Sequence, residues 1–288
     1  MTQASRLADA SGTVTLGGEL TVNRLGYGAM QLTGAGVWGE PKDPAEAVRV
    51  LKRAVELGVN FIDTADAYGP FVSELLIKKA LHPYPKGLVI ATKAGLTRQG
   101  PNQWAPVGRA EYLRQQVELS LRHLAVERID LLQLHRIDPK VPLAESLGAL
   151  TALQKEGKIA HIGLSEVSVK EFDEARKLAN IASVQNLFNL TNRSSEALLD
   201  HVTKLGIAFI PWYPLATGAL AKPGGPLQKL AEKHHASASQ LALAWLLKRS
   251  KVMLPIPGTS TVKHLEENVA GAEMQLSEAE LATIGNVS

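Results

Sequence analysis

The stretch FIDTADAYG, residues 61–69, begins as a strand and ends as something else. Phe61 and Ile62 are apolar; Asp63 then puts a carboxylate where the strand stops, Tyr68 follows with a phenol, and Gly69 lets the chain turn. A carboxylate and a phenol are poor material for a core. Working outward, the same shape returns along the chain. Short runs rich in Val, Ile and Leu stand at RLGYGA (24–29), NFID (60–63), LVIATK (88–93), DLLQLH (130–135), AHIGLS (160–165), SVQNLF (183–188), AFIPW (208–212) and MLPIP (253–257). Asp63, Lys93, His135, Ser165 and Trp212 end five of them.

Between these runs lie segments with apolar residues at helical spacing: 44–58, 109–125, 143–157 and 237–250. Pro44 suits a first helical turn and Gly58 a stop. Strands that alternate with helices and are apolar on both faces make a parallel sheet covered on both sides. Eight such units in 288 residues predict an α/β fold, the (β/α)8 barrel, which typically takes ~250. An open doubly wound sheet is the competing arrangement. TVTLGGELTV, 13–22, reads as a hairpin about Gly17-Gly18 that caps the barrel bottom. No linker-like stretch divides the chain, so a single domain over 1–288 is expected, with residues 1–12 mobile.

Composition excludes several classes. The net charge is +3 and no run of Lys or Arg marks a nucleic-acid or membrane surface. There is no cysteine, hence no disulfide and no thiolate metal site, and no metal is expected. The N-terminus lacks the apolar core of a signal peptide, and no apolar run nears the ~20 residues of a membrane span. A cytoplasmic protein, monomeric rather than oligomeric, is the expectation.

In a (β/α)8 barrel, catalytic groups come from the C-terminal ends of the strands. Asp63, Lys93, His135 and Ser165 would therefore share one rim, with Tyr68 in the loop after the second strand. Taken singly, Asp63 could cap a helix, Lys93 could be solvated, His135 could be structural and Tyr68 could pack under its loop. Convergence on adjacent strands of one face argues for chemistry. GAGVWG, 34–39, matches a dinucleotide-binding fingerprint, but such a fingerprint must open a helix. Here it runs into EPKDP, whose prolines Pro41 and Pro44 delay the next helix, so it reads as a mouth loop.

FIDTADAYG, ATK, LLQLH, IGLSE and IPGTSTVKHLEEN, in this order, resemble the aldo-keto reductases, from about Leu25 to Leu281. RLGYGAMQL, PWYPLATG and LALAWLLKRS are similar to the short bacterial members that include pyridoxal reductases. The resemblance implies an NADPH-dependent reductase of aldehydes or ketones acting on a small-molecule carbonyl substrate, with Asp63, Tyr68, Lys93 and His135 as its catalytic set. Tyrosine would supply the proton. Its ordinary pKa is about 10, and an ammonium beside it should lower that value. Asp63 would hold the lysine, and a neutral His135 would orient the carbonyl.

The resemblance also places Gly28, Ala29, Met30, Asp63, Ser165, Glu166 and Gln185 on the cofactor. Ser165, Glu166 and Gln185 would hold the nicotinamide carboxamide, although many relatives have asparagine where this chain has Glu166. Trp212 would stack on the ring. Tyr213, Pro214, Leu215, Thr217 and Gly218 would follow the pyrophosphate. Ile256, Gly258, Thr259, Ser260, Lys263, His264, Glu267 and Asn268 would hold the adenosine end, whose helix start suits a phosphate. Gln31, Trp38, Arg98 and Trp104 are expected on the substrate side, the last two in the longest mouth loop, 94–108. A second reading is a nucleotide-binding partner subunit of the same fold; the complete catalytic set favours the enzyme.

Overall fold

The computed structural model describes residues 6–215 and 226–286. An antiparallel hairpin, β1 (Thr13–Leu16) and β2 (Leu20–Asn23), comes first. Seven parallel strands then form one sheet: β3 (Tyr27–Gly28), β4 (Phe61–Asp63), β5 (Val89–Ala94), β8 (Ile129–Leu134), β9 (Ile159–Ser165), β10 (Ile181–Leu187) and β11 (Ala208–Trp212), side by side in that order. Mouth loop 94–108, which follows β5, contains a second antiparallel pair, β6 (Leu96–Gly100) and β7 (Gln103–Pro106), that the sequence did not suggest.

The eighth place in the barrel is filled by 253–257. On one side Phe209 N–H donates to Val252 O and Leu254 N–H to Phe209 O; on the other, Gly26 and Gly28 N–H donate to Pro255 and Pro257 O. This segment was expected as a strand. Pro255 and Pro257 have no N–H to give back to β3, so its ladder on that side is one-way and it is not a regular strand. The barrel closes through it nonetheless.

Helices cover the outside: α1 (Pro44–Glu56), α2 (Val72–Leu81), α3 (Ala110–Leu124), α4 (Leu143–Lys155), α5 (Val169–Arg176), α6 (Glu196–Leu205), α7 (Pro226–Lys233), α8 (Ala238–Arg249), α9 (Val262–Ala270) and α10 (Glu278–Gly285). Their starts follow from local chemistry. At α1, Asp43 accepts from Glu46 N–H and Pro44 takes the first helical position; Ser168, Ser237 and Ser277 close capping boxes with Glu171, Gln240 and Glu280. Among the described residues, no helix is long and apolar enough to cross a membrane.

Two apolar layers result. One lies between strands and helices; the other fills the barrel and contains Phe61, Val89, Ala91, Leu131, Ala208, Ile210, Leu254 and Ile256. The hairpin adds Val14, Leu16 and Val22 to this inner layer. It therefore plugs the N-terminal end of the barrel, as the glycine pair predicted. Gly17, at φ +59°, lies so close to the His161 ring that a Cβ would be 2.2 Å from Nδ1. Residues 7–11 depart from the expected mobility of 1–12, of which 1–5 lie outside the described residues. They form a 3-10 turn, Leu7–Ser11, with Ala8 fully buried and its N–H bonded to Leu57 O.

The inner layer also explains where the polar residues go. Side chains two apart on a strand share a face. Phe61, Ala91 and Leu131 point inward, so Asp63, Lys93 and Gln133 do too, one step nearer the C-terminal rim.

The closing seam is tight. A Cβ on Gly28 would lie 2.7 Å from Ile256 O, although the Gly28 backbone (φ −95°, ψ 115°) suits any residue. Gly28→Ala should thus cost roughly 1–3 kcal/mol of stability by overpacking alone. A urea unfolding curve with an unchanged midpoint would show that the seam has room to spare.

Candidate active site

Lys93 is the centre of the rim. Its side chain is fully buried, and its three N–H groups are all used: Nζ donates to Asp63 Oδ1 at 2.5 Å, Thr64 O at 2.9 Å and Tyr68 Oη at 3.2 Å. Asp63 Oδ2 accepts from Gln133 Nε2 at 2.9 Å and Gln185 Nε2 at 2.8 Å. Both carboxylate oxygens are therefore satisfied, as a buried charge requires. Room for the Gln133 stem comes from Gly163 on the neighbouring strand, where a Cβ would be 2.9 Å from Gln133 Cγ. Tyr68 reaches the lysine from the loop after β4. That loop turns at Gly69 (φ +100°), and Phe71 N–H returns to Asp66 O. The His135 ring meets Tyr68 edge-on, with centroids 5.9 Å apart.

The electrostatics differ from the sequence expectation at one point. Burial raises the Tyr68 pKa, and Lys93 only partly offsets it, so the phenol stays above its ordinary value rather than below it. Burial alone would lower Lys93, but the Asp63 carboxylate and the Tyr68 phenol outweigh it and the ammonium is held charged. Burial, then Lys93, Arg136 and Arg98, push His135 well below the usual imidazole value. The rim thus holds a protonated phenol, an ammonium and a neutral imidazole.

Two groups escaped the sequence reading. Gln133 is a polar residue inside the apolar run LLQLH, two before His135 and on the same face; that interruption was its signal. Arg136 follows the strand end directly. Its Nη1 donates to His135 O at 2.6 Å and to Ser165 Oγ at 3.0 Å. Because Ser165 Oγ accepts from Arg136, its own hydrogen is left to donate. Gln185 spends its amide N–H on Asp63 and on Gln133 Oε1, which leaves its carbonyl oxygen to accept. A primary carboxamide needs one such donor and one such acceptor, so this pair fits a nicotinamide amide. Glu166 has other partners, since its Oε1 accepts from Leu187 N–H and Trp212 Nε1–H.

Arg98 is likewise placed differently from expectation. Its five N–H donors go to five backbone carbonyls: Gln103, Val37, Ala67, Gly36 and Gly100. Its guanidinium stacks 3.6 Å from the Trp104 ring centroid and 5.5 Å from that of Trp38. Arg98 therefore has no donor to offer a substrate; it ties together the 36–38 loop, the Tyr68 loop and the β6–β7 hairpin. Trp38 and Trp104 are exposed, and Trp104 meets His135 edge-on at 6.4 Å.

Ala29, Met30 and Gln31 form a 3-10 turn directly after β3, with Gln31 Cγ 3.2 Å from where a Gly258 Cβ would be. Ile256 and Thr259 are buried, and Thr259 O accepts from Tyr27 Oη. At the start of α9, Ser260, Lys263 and His264 are at the surface. Two backbone donors there are already used, Val262 N–H on Glu46 Oε1 and His264 N–H on Thr261 Oγ1. Glu267 is half-buried and Asn268 buried on the same helix. Tyr213, Pro214 and Leu215 follow β11, with Tyr213 at φ +56°. Thr217 and Gly218 lie outside the described residues.

Known proteins share the sequence pattern and the fold of this chain. The model of the aldo/keto reductase family matches residues 24–288. An uncharacterized oxidoreductase of Schizosaccharomyces pombe is 57% identical over 96% of this chain and 90% of its own length. Pyridoxine 4-dehydrogenase of Escherichia coli is 42% identical over 97% of this chain and 99% of its own. A thermostable aldo-keto reductase crystallised with the inhibitor epalrestat superposes with a TM-score of 0.85 at 29% identity, covering 96% of this chain and 99% of that one.

Two predictions concern the rim's supports. A lysine in place of Arg98 would offer three donors to five carbonyls, so Arg98→Lys should destabilise the protein by roughly 1–3 kcal/mol, measured by chemical denaturation; a neutral exchange would show that the loops do not depend on the guanidinium. Asp66, two residues before Tyr68, is buried, and neither of its carboxyl oxygens makes a well-formed hydrogen bond. Burial, then Glu74, raise its pKa well above the usual value. Folding there takes up a proton, so the protein loses stability as pH rises from the ordinary Asp pKa of about 4 toward the raised one. Asp66→Asn should raise the melting temperature at pH 8, with the gain shrinking toward pH 4. A gain that is constant with pH would mean that Asp66 is ionised in the fold.

Proposed function

Because the chain belongs to the aldo/keto reductase family, we propose that it reduces the carbonyl group of an aldehyde or ketone with NADPH, Tyr68 serving as the general acid. The observation that carries this reading is the buried ammonium of Lys93, bonded at once to the Asp63 carboxylate and the Tyr68 phenol. Ser165 and Gln185 fit the nicotinamide carboxamide, Trp212 its ring face, and Lys263 and His264 the phosphate of the adenosine end. When bound, the cofactor supplies the hydride.

Everything else falls to the protein. The carbonyl oxygen gains negative charge as hydride reaches its carbon, and a proton must meet it. Tyr68 is protonated at neutral pH, and burial keeps it so, which makes the proton available when needed. Losing it would leave a phenolate 3.2 Å from an ammonium, and that charge pairing is formed only as the proton leaves. His135 is neutral. Its Nδ1 is buried without a partner, so the tautomer with hydrogen on Nε2 leaves only an acceptor unpaired, and Nε2–H can hold the carbonyl oxygen. Trp38 and Trp104, part-exposed at the mouth with Arg98 over their rings, offer aromatic surface suited to a flat aromatic aldehyde. Together with the likeness to pyridoxine 4-dehydrogenase, this favours pyridoxal as the substrate.

Tyr68→Phe removes one hydroxyl and should leave folding and NADPH binding intact while lowering turnover by roughly 10²–10⁴-fold. Lys93→Met should do comparable damage, and the two losses should not add, because they disable one proton donor. Single-turnover hydride transfer to pyridoxal, followed by loss of NADPH absorbance, measures both variants and their combination. Near-normal transfer in Tyr68→Phe would remove the phenol from the mechanism.

A further inference from the structure

Glu166 stands where the carboxamide-binding pair and the stacking ring meet, and its side chain is bonded to the ring. Its Oε1 lies 2.5 Å from Trp212 Nε1 and 2.7 Å from Leu187 N. Leu187 is the strand partner of Trp212 in the β10–β11 ladder. Glu166 N–H in turn donates to Gln185 O at 2.9 Å. One residue thus joins the C-terminal ends of β9, β10 and β11. It does so from a backbone at φ +56°, a left-handed conformation uncommon for a residue with a Cβ. Such strain persists where the surroundings hold it in place.

We propose that Glu166 is the positioning residue of the Trp212 ring: its carboxylate fixes the plane of the indole before the cofactor arrives, and this is its role in place of a contact to the carboxamide. The inference rests on the reading of Trp212 as the nicotinamide platform. An indole has a polar handle on one edge only, and the hydrogen bond to that edge sets the rotation of the whole ring. A phenyl ring has no N–H there, so the carboxylate would keep Leu187 N–H but lose its hold on the ring. In setting the ring, Glu166 and Trp212 therefore act only together. An asparagine at 166 is one methylene shorter and could not span the same gap without moving the backbone. Arg136, held on Ser165 Oγ, is near enough for its positive charge to attract the carboxylate from the rim side.

The test is a double-mutant cycle read by cofactor affinity and by the ring itself. NADPH affinity is followed by the cofactor's own fluorescence in the wild type, Glu166→Ala, Trp212→Phe and the double variant. Glu166→Ala should weaken binding by about tenfold. Added to Trp212→Phe it should weaken binding far less, since only the Leu187 bond is then left to lose. Glu166→Gln keeps an acceptor oxygen at the same reach and should recover most of the affinity. Glu166→Gly suits the left-handed backbone and serves as a second deletion if the alanine variant folds poorly. The near-UV circular dichroism band that Trp212 contributes, obtained by subtracting the Trp212→Phe spectrum, should vanish without the carboxylate and persist in Glu166→Gln. Equal losses from Glu166→Ala in both backgrounds, or a glutamine variant as weak as the alanine one, would overturn the proposal. If the wild type does not bind NADPH at all, the proposed function fails instead, and the dichroism band still decides whether Glu166 holds the ring.

Discussion

The Lys93–Asp63 ion pair is the constraint that the rim is built around. Two charges taken out of water cost several kcal/mol each unless every remaining donor and acceptor is met. Here they are met from four directions. Thr64 and Tyr68 complete the ammonium; Gln133 and Gln185 complete the carboxylate. Each of these partners is in turn committed. Gln133 needs the missing side chain of Gly163, Gln185 gives its amide N–H to Asp63 and Gln133, and Tyr68 is drawn down onto the lysine. The neutral state of His135 also owes part of its cause to the ammonium. Remove the pair and the arrangement has no reason to keep its shape.

Much of this was legible in the sequence because strand periodicity is strict. Asp63, Lys93 and His135 close apolar runs, and a parallel barrel has only one end at which such closing residues can gather. What periodicity could not show is who bonds to whom. Glu166 and Gln185 are near the site in any reading, but only the folded chain reveals that one holds an indole and the other a carboxylate. Arg98 lies in a loop with no period at all, so its five backbone partners, spread from Gly36 to Gln103, could not be read from neighbours in the chain. The eighth place in the barrel differs for a related reason. Apolar composition marked 253–257 as strand, while its two prolines decide that it meets β3 by accepting only.

Arg98 and Arg136 show how differently one side chain is used at a barrel mouth. Arg98 has all five donors bound to loop carbonyls and reinforces segments that also meet through Gly39 N–H on Gly69 O, Gly69 N–H on Val37 O and Asn102 N–H on Gly36 O. Arg136 binds a single strand-end carbonyl and one hydroxyl, and its charge acts on the groups around it. Both depress the basicity of His135, one from the loops above and one from the strand end beside it. The imidazole is thus kept neutral by the same residues that give the rim its shape.

The hairpin at the N-terminal end has a bearing on traffic. Among the described residues, Val14, Leu16 and Val22 fill the barrel from below, which leaves the rim as the doorway for whatever reaches Tyr68 and His135. A product formed beside Tyr68 and His135 leaves by the side from which the next substrate arrives. However fast the proton and hydride move, the enzyme can run no faster than that doorway clears.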